Sequence, residues 1–324
     1  MRRRDFIALL GSGAAFPLVA RAQQPTAVMG LLTSTNLADW TMTAIRAGLY
    51  EAGYVEGRNL TIAMRSAEGQ FDRLPALVDD LVKKQVGVIY ATGSPVPARL
   101  AKAATSTIPI VFAYGGDPVA DGLVASLNQP GGNVTGATFI GSALLTKRME
   151  LLRQMLPDVT DVALLVNPKG TLAERQVKDA TEAAALLGQR LHVLNTSNVE
   201  ELDMAFATMR ERRIGAYIVS TDPFFGFIGH QRLLELSVRY RLPGAFNARR
   251  EMSDGGLMSY GPVLADTWQQ AGVYAGRVLK GEKPSSLPVM QPVRFETVIN
   301  LKTARELGLT IPPAILALAD EVIE

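Results

Sequence analysis

Seven short apolar runs punctuate the chain: Val28–Leu32, Leu60–Met64, Val86–Ala91, Ile108–Ala113, Val162–Val166, Leu191–Leu194 and Ala216–Val219. Between them lie longer stretches in which apolar residues recur with helical period, such as Asp39–Glu51, Arg73–Lys84, Leu172–Leu187 and Gln231–Tyr240. Short runs are strand-like, and the periodic stretches present one apolar face every 3.6 residues or so. Strands alternating with helices of this length predict βαβ units, hence parallel sheets covered by helices on both faces. The fold class is α/β.

Three segments interrupt the alternation: "NQPGGNVTG" (Asn128–Gly136), "SDGGLMSYGP" (Ser253–Pro262) and "GEKPSSLPVMQP" (Gly281–Pro292). Gly, Pro and small polar residues mark turns or linkers. As surface loops they carry nothing further. As crossings they divide the chain into two α/β lobes, with crossings near Asn133, Gly256 and Pro288. The expected lobes are residues 25–135 plus 256–285, and residues 136–255 plus 286–324.

The first 22 residues have a different character. Arg2, Arg3 and Arg4 precede an apolar run from Ile7 to Val19, and Ala20-Arg21-Ala22 follows as an A-x-A site. The run is too short to span a membrane, which takes about 20 apolar residues. Its three-part layout is that of an export signal, and the adjacent arginines look like the twin-arginine type. The expectation is cleavage near Ala22 and a soluble periplasmic protein. The whole chain has 33 Lys+Arg and 31 Asp+Glu. Removal of Arg2, Arg3, Arg4, Arg21 and Asp5 leaves 29 against 30, so the basic balance belongs to the leader. A nucleic-acid partner, which needs a basic face, is not expected. The chain contains no cysteine, which excludes disulfides, thiolate metal sites and a lipid-anchored cysteine.

One pattern carries the functional reading. Four times an apolar strand ends and a polar residue followed by proline opens the next helix: Ser94-Pro95, Asp117-Pro118, Asn167-Pro168 and Asp222-Pro223. Ser, Asp and Asn cap free N–H groups at a helix start, and proline suits its first turn. Capping alone explains these pairs, yet all four sit at strand carboxyl ends, where open α/β sheets bind ligands. With the loop Thr33–Asn36 they would line a shared cleft suited to a small polar or zwitterionic molecule. Free N–H groups receive a carboxylate there, and Asp117 or Asp222 pairs with an amine. Trp40, Phe224 and Tyr260 are aromatics on or beside these loops. Candidate ligand contacts are therefore Thr33, Ser34, Asn36, Trp40, Gly93, Ser94, Gly115, Gly116, Asp117, Asn167, Asp222, Phe224 and Tyr260. For each of them, ligand contact and a purely structural role both fit the sequence.

Catalytic chemistry has little to stand on. The two histidines, His192 and His230, lie in a strand-like run and on a helix. The chain has neither a phosphate-binding G-x-x-x-x-G-K-[ST] loop nor a G-x-S-x-G elbow. No catalytic residue, metal or cofactor is expected.

The stretches "FAYGGDPVADGLVASLNQPGGNVTG", "GGLMSYGP" and "LPVMQPVRFETVINLKTARELGLTIP" resemble the ABC-transporter substrate-binding proteins, a family that includes tryptophan- and tyrosine-type binding components. The resemblance implies two doubly wound α/β lobes of the type I periplasmic-binding kind, joined by a three-segment hinge. It also implies a monomer that delivers a solute, such as an aromatic or other amino acid, to a membrane permease driven by a separate ATPase. Positions Thr33–Asn36, Gly93-Ser94, Gly115–Asp117 and Asp222 match those at which such proteins meet ligand. An exported enzyme and a ligand-sensing receptor subunit are the alternative readings.

Overall fold

Two parallel-rich sheets organise the chain in the computed structural model, which describes residues 26–139, 142–170, 172–222 and 224–324. The expected leader, residues 1–22, and Pro223 lie outside the described residues. The first sheet contains β1 (Ala27–Thr33), β2 (Leu60–Ser66), β3 (Val88–Thr92), β4 (Ile110–Tyr114) and β5 (Val134–Thr138), in the order β2-β1-β3-β4-β5. Every neighbour in it is parallel. The second contains β6 (Asp161–Val166), β7 (Arg190–Asn195), β8 (Ala216–Val219), β9 (Gly244–Phe246), β10 (Met258–Pro262), β11 (Phe295–Asn300) and β12 (Glu321–Ile323), ordered β12-β11-β10-β9-β8-β6-β7. Only β10 and β11 run antiparallel.

Helices cover both faces of each sheet. On the first, α1 (Asp39–Glu51), α2 (Leu74–Lys83) and α3 (Pro95–Ala104) follow β1, β2 and β3. On the second, α4 (Ser142–Met155), α5 (Ala173–Leu186), α6 (Val199–Glu211), α7 (His230–Tyr240) and the short α8 (Arg250–Ser253) separate successive strands. Strands β3, β4 and β8 are buried along their whole length, as strands sandwiched between helix layers must be. Apolar clusters lie on both faces of the two sheets. This is the doubly wound architecture that the periodicity predicted.

The order of the strands fixes where a ligand can sit. In each sheet the order reverses beside the first strand, between β1 and β3 and between β6 and β8. Helices leaving adjacent strands in opposite directions there open a crevice at the carboxyl edge. The loops after β1, β3, β6 and β8 surround these two crevices.

The crossings fall later than the Gly/Pro clusters suggested. β5 still belongs to the first sheet, so the first crossing follows Thr138 rather than Asn133. β10 pairs with β9 and β11, so the segment expected in the first lobe from residue 256 begins instead at α9 (Leu264–Leu279). Leu287 and Val289 still pack with the first sheet, which moves the third crossing from Pro288 to between Met290 and Phe295. After it come β11, α10 (Leu301–Leu307), α11 (Pro313–Leu316) and β12, all in the second lobe. The physical reason is plain. Gly and Pro mark the tight turns that enter β5 and β10, whereas the second crossing passes Val263 in extended backbone with no tight turn. The crossings are tied side by side: the Thr138 N–H donates to the Met290 carbonyl at 2.9 Å and the Val263 N–H to the Arg294 carbonyl at 3.2 Å. Arg294 also pairs with Asp266 at 3.2 Å.

Return of the chain to the first lobe depends on a close helix crossing. At Gly48 of α1 an added Cβ would stand 1.9 Å from the Gln269 carbonyl oxygen of α9. At Gly272 the same atom would stand 2.5 Å from the Ile45 carbonyl oxygen. Neither position has room for a side chain. Gly48→Ala should push the helices apart and cost about 1–3 kcal/mol of stability, as overpacking does; a lowered midpoint of chemical denaturation is the measurement.

Candidate functional site

A cleft of about 490 Å³ lies between the carboxyl edges of the two sheets. The first lobe contributes Thr35 after β1, Trp40 and Thr41 on α1, Gly93 and Ser94 after β3, Tyr114 and Gly115 at the end of β4, and Trp268 on α9. Across from them stand Asn167 after β6, Gln176 on α5, Ser220–Asp222 after β8, Phe224, and Arg250 and Glu251 on α8. The two tryptophans of the chain, Trp40 and Trp268, are both in the wall. Phe139 meets Trp268 with ring centroids 4.9 Å apart, extending an aromatic surface along the first lobe.

Polar atoms that find no partner within the protein mark this wall. Thr35 Oγ1, Ser94 Oγ, Ser220 Oγ, Glu251 Oε2 and Trp268 Nε1 are all buried with no hydrogen-bond partner among the described residues, and all five residues line the cleft. A buried polar group left unpaired costs about 1–3 kcal/mol. Such groups are rare in folded proteins unless water, an ion or a ligand completes them. Donors and acceptors from both lobes thus converge on one enclosed space.

Backbone geometry sets the hydroxyls in place. Ser94 precedes α3, whose first residue is Pro95, and its side chain caps nothing. Gly93 takes φ +91°, and an added Cβ there would approach Ser34 Oγ to 2.5 Å. Only glycine lets the β3 loop fold down onto the β1 loop. In the second lobe Gln176 clamps the β8 loop at two points: its Nε2 donates to the Thr221 carbonyl at 3.1 Å, and its Oε1 accepts the Thr221 N–H at 2.6 Å. Behind that loop the fully buried Arg148 donates to the Val219 carbonyl at 2.7 Å. Burial pulls its guanidinium down to about 10, partly offset by the charge of Glu251.

Two carboxyl groups face the cleft from the second lobe. Asp222 Oδ1 accepts hydrogen bonds from Asn167 Nδ2 at 3.0 Å and from the Phe224 N–H at 2.9 Å. Burial raises its carboxyl above the usual range, against the pull of those two bonds. Glu251, 5% exposed, is pushed up to about 7 by burial, with a hydrogen bond from its own backbone N–H and the charges of Arg250 and Arg148 acting the other way.

Seven of the sequence-predicted residues meet in this wall: Trp40, Gly93, Ser94, Gly115, Asn167, Asp222 and Phe224. The other six lie off it. Thr33 turns inward, donating to the Thr35 carbonyl at 2.7 Å and accepting the Thr35 N–H at 3.3 Å. Ser34 is buried beneath Gly93. Asn36 is exposed and accepts from Ser66 Oγ at 3.0 Å. The Gly116 carbonyl accepts the Thr138 hydroxyl. Asp117 holds the Val119 and Ala120 N–H groups at 3.0 and 3.2 Å and reaches across to Arg175 of α5 at 3.5 Å. Tyr260 is on β10, stacked on Phe295 with centroids 6.2 Å apart.

The expected shared role of the polar-proline pairs as helix caps also changes. Asp117 and Asn167 cap turns rather than helices, Asn167 through the Lys169 N–H at 3.1 Å. Each aspartate or asparagine satisfies the backbone two residues on, which needs no helix. Thr35, Gln176, Ser220, Trp268 and Glu251 were absent from the predicted set. Ser220 follows β8 as Thr33 closes β1, so the strand-end rule reaches it. Trp268 and Glu251 sit on α9 and α8, and nothing in their local sequence points to the cleft.

The comparisons agree with this geometry. The family model described as "ABC transporter substrate binding protein" matches residues 27–323. The chain is 26% identical over 267 residues to a tyrosine-binding protein of Clostridioides difficile (strain R20291), covering 81% of this chain and 74% of that one. It is 26% identical to an ABC domain from Streptococcus pneumoniae solved in complex with L-Trp, covering 92% of this chain and 100% of that one with a TM-score of 0.84. A conserved domain protein from Vibrio cholerae O1 biovar El Tor is also 26% identical, over 92% and 99% of the two chains, with a TM-score of 0.83. With two doubly wound lobes, a three-stranded crossing and a polar cleft between the strand ends, the chain belongs to the ABC transporter substrate-binding protein family.

Proposed function

We infer that the chain is the periplasmic receptor of an ABC importer and that its solute is a zwitterionic amino acid with an aromatic side chain. The observation that carries this reading is the set of unpartnered polar atoms facing one another across an aromatic cleft. A zwitterion supplies both kinds of partner. Its carboxylate is received by the Ser94 and Thr35 hydroxyls of the first lobe, and its ammonium by the Asp222 carboxylate of the second. Trp40, Phe139 and Trp268 offer flat apolar surface to a ring, which ligand sites pair with a few orienting polar groups. Binding of L-Trp and of tyrosine by two similar proteins supports the choice of ring.

Closure follows from where the groups are. A solute held on one lobe leaves the hydroxyls of the other unpaired, whereas one held by both satisfies all of them. The solute therefore binds the closed form better and shifts the population towards it. Asp117 and Arg175 face each other across the lobes and add an exposed pair to the closed form, worth at most about 1 kcal/mol. Among the described residues no helix is long and apolar enough to cross a membrane. In this reading the leader is cleaved near Ala22, and the protein works as a free monomer that presents its solute to an inner-membrane permease with a separate ATPase. It performs no catalysis, carries no cofactor and has no nucleic-acid partner.

Calorimetric titration of the mature protein with L-tryptophan and L-tyrosine tests the reading; heats for neither solute would overturn it. Asp222→Ala should weaken capture by about 2 kcal/mol or more, since it removes a buried carboxylate partner of a desolvated ammonium. The same change should cost only about 1 kcal/mol of folding stability, the worth of its hydrogen bonds. Ser94→Ala and Ser220→Ala should each weaken capture by about 0.5–1.5 kcal/mol. Neither serine substitution should lower thermal stability, because those hydroxyls have no hydrogen-bond partner among the described residues.

A further inference from the structure

Glu251 is the buried group that the reading above leaves unused. It lies on α8, a helix of four residues after β9, and its Oε2 is buried in the cleft wall with no partner among the described residues. A carboxyl in that position meets two demands at once. Sequestered from water it resists ionisation, and with an acceptor atom unpaired it favours any donor that enters. The surrounding charges come from three elements. Arg148 on α4 lies behind the wall, already committed to the Val219 carbonyl and reaching Thr221 Oγ1 at 3.5 Å. Arg250, on the same helix, donates to the Gly226 carbonyl at 3.1 Å. Asp254, just past α8, is taken up by His230 of α7, 2.7 Å from its Nε2. Asp222 stands on the same wall, after β8.

We propose that Glu251 is a specificity-determining residue of the cleft: as a carboxylate it accepts a hydrogen bond from the solute's ammonium group beside Asp222, and capture thereby expels a proton from it. The proposal rests on the reading of the solute as a zwitterion. An ammonium has three donors, and Asp222 Oδ1 is already engaged by Asn167 and Phe224. One carboxylate thus leaves the ammonium short of acceptors in a dry site. A second acceptor also raises the penalty for a solute that lacks the amine, because two buried carboxyls are then left without their partner. Burial holds Glu251 at about 7 in the solute-free protein. A ligand cation pulls it back toward ionisation, so capture strengthens as pH rises through that value and levels off above it.

The experiment is calorimetric titration of the mature full-length chain with L-tryptophan, run at pH 6, 7 and 8 in phosphate and in Tris. The two buffers differ in their heat of ionisation, so the difference in heat counts protons. The expected result at pH 7 is release of about half a proton per solute bound, with affinity roughly tenfold tighter at pH 8 than at pH 6. Glu251→Gln should abolish the release, flatten the pH profile and weaken binding at pH 8 by about tenfold. Release that persists in Glu251→Gln would move the proton to another group, such as Asp222, and overturn the assignment. Binding by the wild type with no proton exchanged, or with proton uptake, overturns it without any variant, so a Gln substitution that fails to fold does not shield it. Those outcomes leave the amino-acid reading standing. A wild type that binds neither L-tryptophan nor L-tyrosine at any of the three pH values overturns both.

Discussion

A parallel strand can be followed by another only through a crossover, so every strand of a parallel sheet delivers its carboxyl end to the same edge. That constraint, imposed twice and with the two edges facing, is what the rest of this molecule depends on. It collects the loops after β1, β3, β6 and β8 into one place although they are spread over nearly 200 residues of sequence. It also explains why loop residues supply much of the site. The strands are largely consumed by four apolar clusters, so polar groups enter from the strand ends, joined by side chains from α1, α5, α8 and α9 that border the same edge.

The energetics of the cleft turn on unpaired groups. Hydroxyls, an indole N–H and a carboxyl oxygen are buried without partners among the described residues, each destabilising until something pairs with it. A solute that pairs with them recovers that free energy on binding, and recovers most when both lobes contribute. Capture and closure are then one event, driven by groups whose cost the scaffold already carries. Gly48, Gly93 and Gly272 serve the same end from further away, since each permits a backbone approach that positions a loop or helix of the wall.

The α/β class and the doubly wound arrangement were legible because apolar periodicity reports directly on which residues a sheet buries. Strand-end polar residues were legible in part. Ser94, Asn167 and Asp222 sit where the chain leaves a strand beside a point of reversal, and they line the cleft. Asp117 leaves β4, one strand further from that point, and lies at the rim instead. Thr33 and Ser34 come two and one positions too early; the residue that emerges into the cleft is Thr35. The crossings were misplaced because Gly and Pro register sharp turns, and the extended backbone at Val263 has none. Trp268 and Glu251 were beyond local reading altogether. Their place in the wall is set by α9 packing on α1, more than two hundred positions away, and by α8 packing against β10 and β11, the latter several tens of positions away.

Which atoms the solute satisfies is tested most directly by a crystal structure of the mature protein grown with L-tryptophan. The expected result is one solute between the lobes, hydrogen-bonded to Ser94 or Thr35 on one side and to Asp222 on the other, its ring against Trp40 or Trp268. A solute attached to one lobe alone, with the opposing hydroxyls still unpartnered, would contradict it.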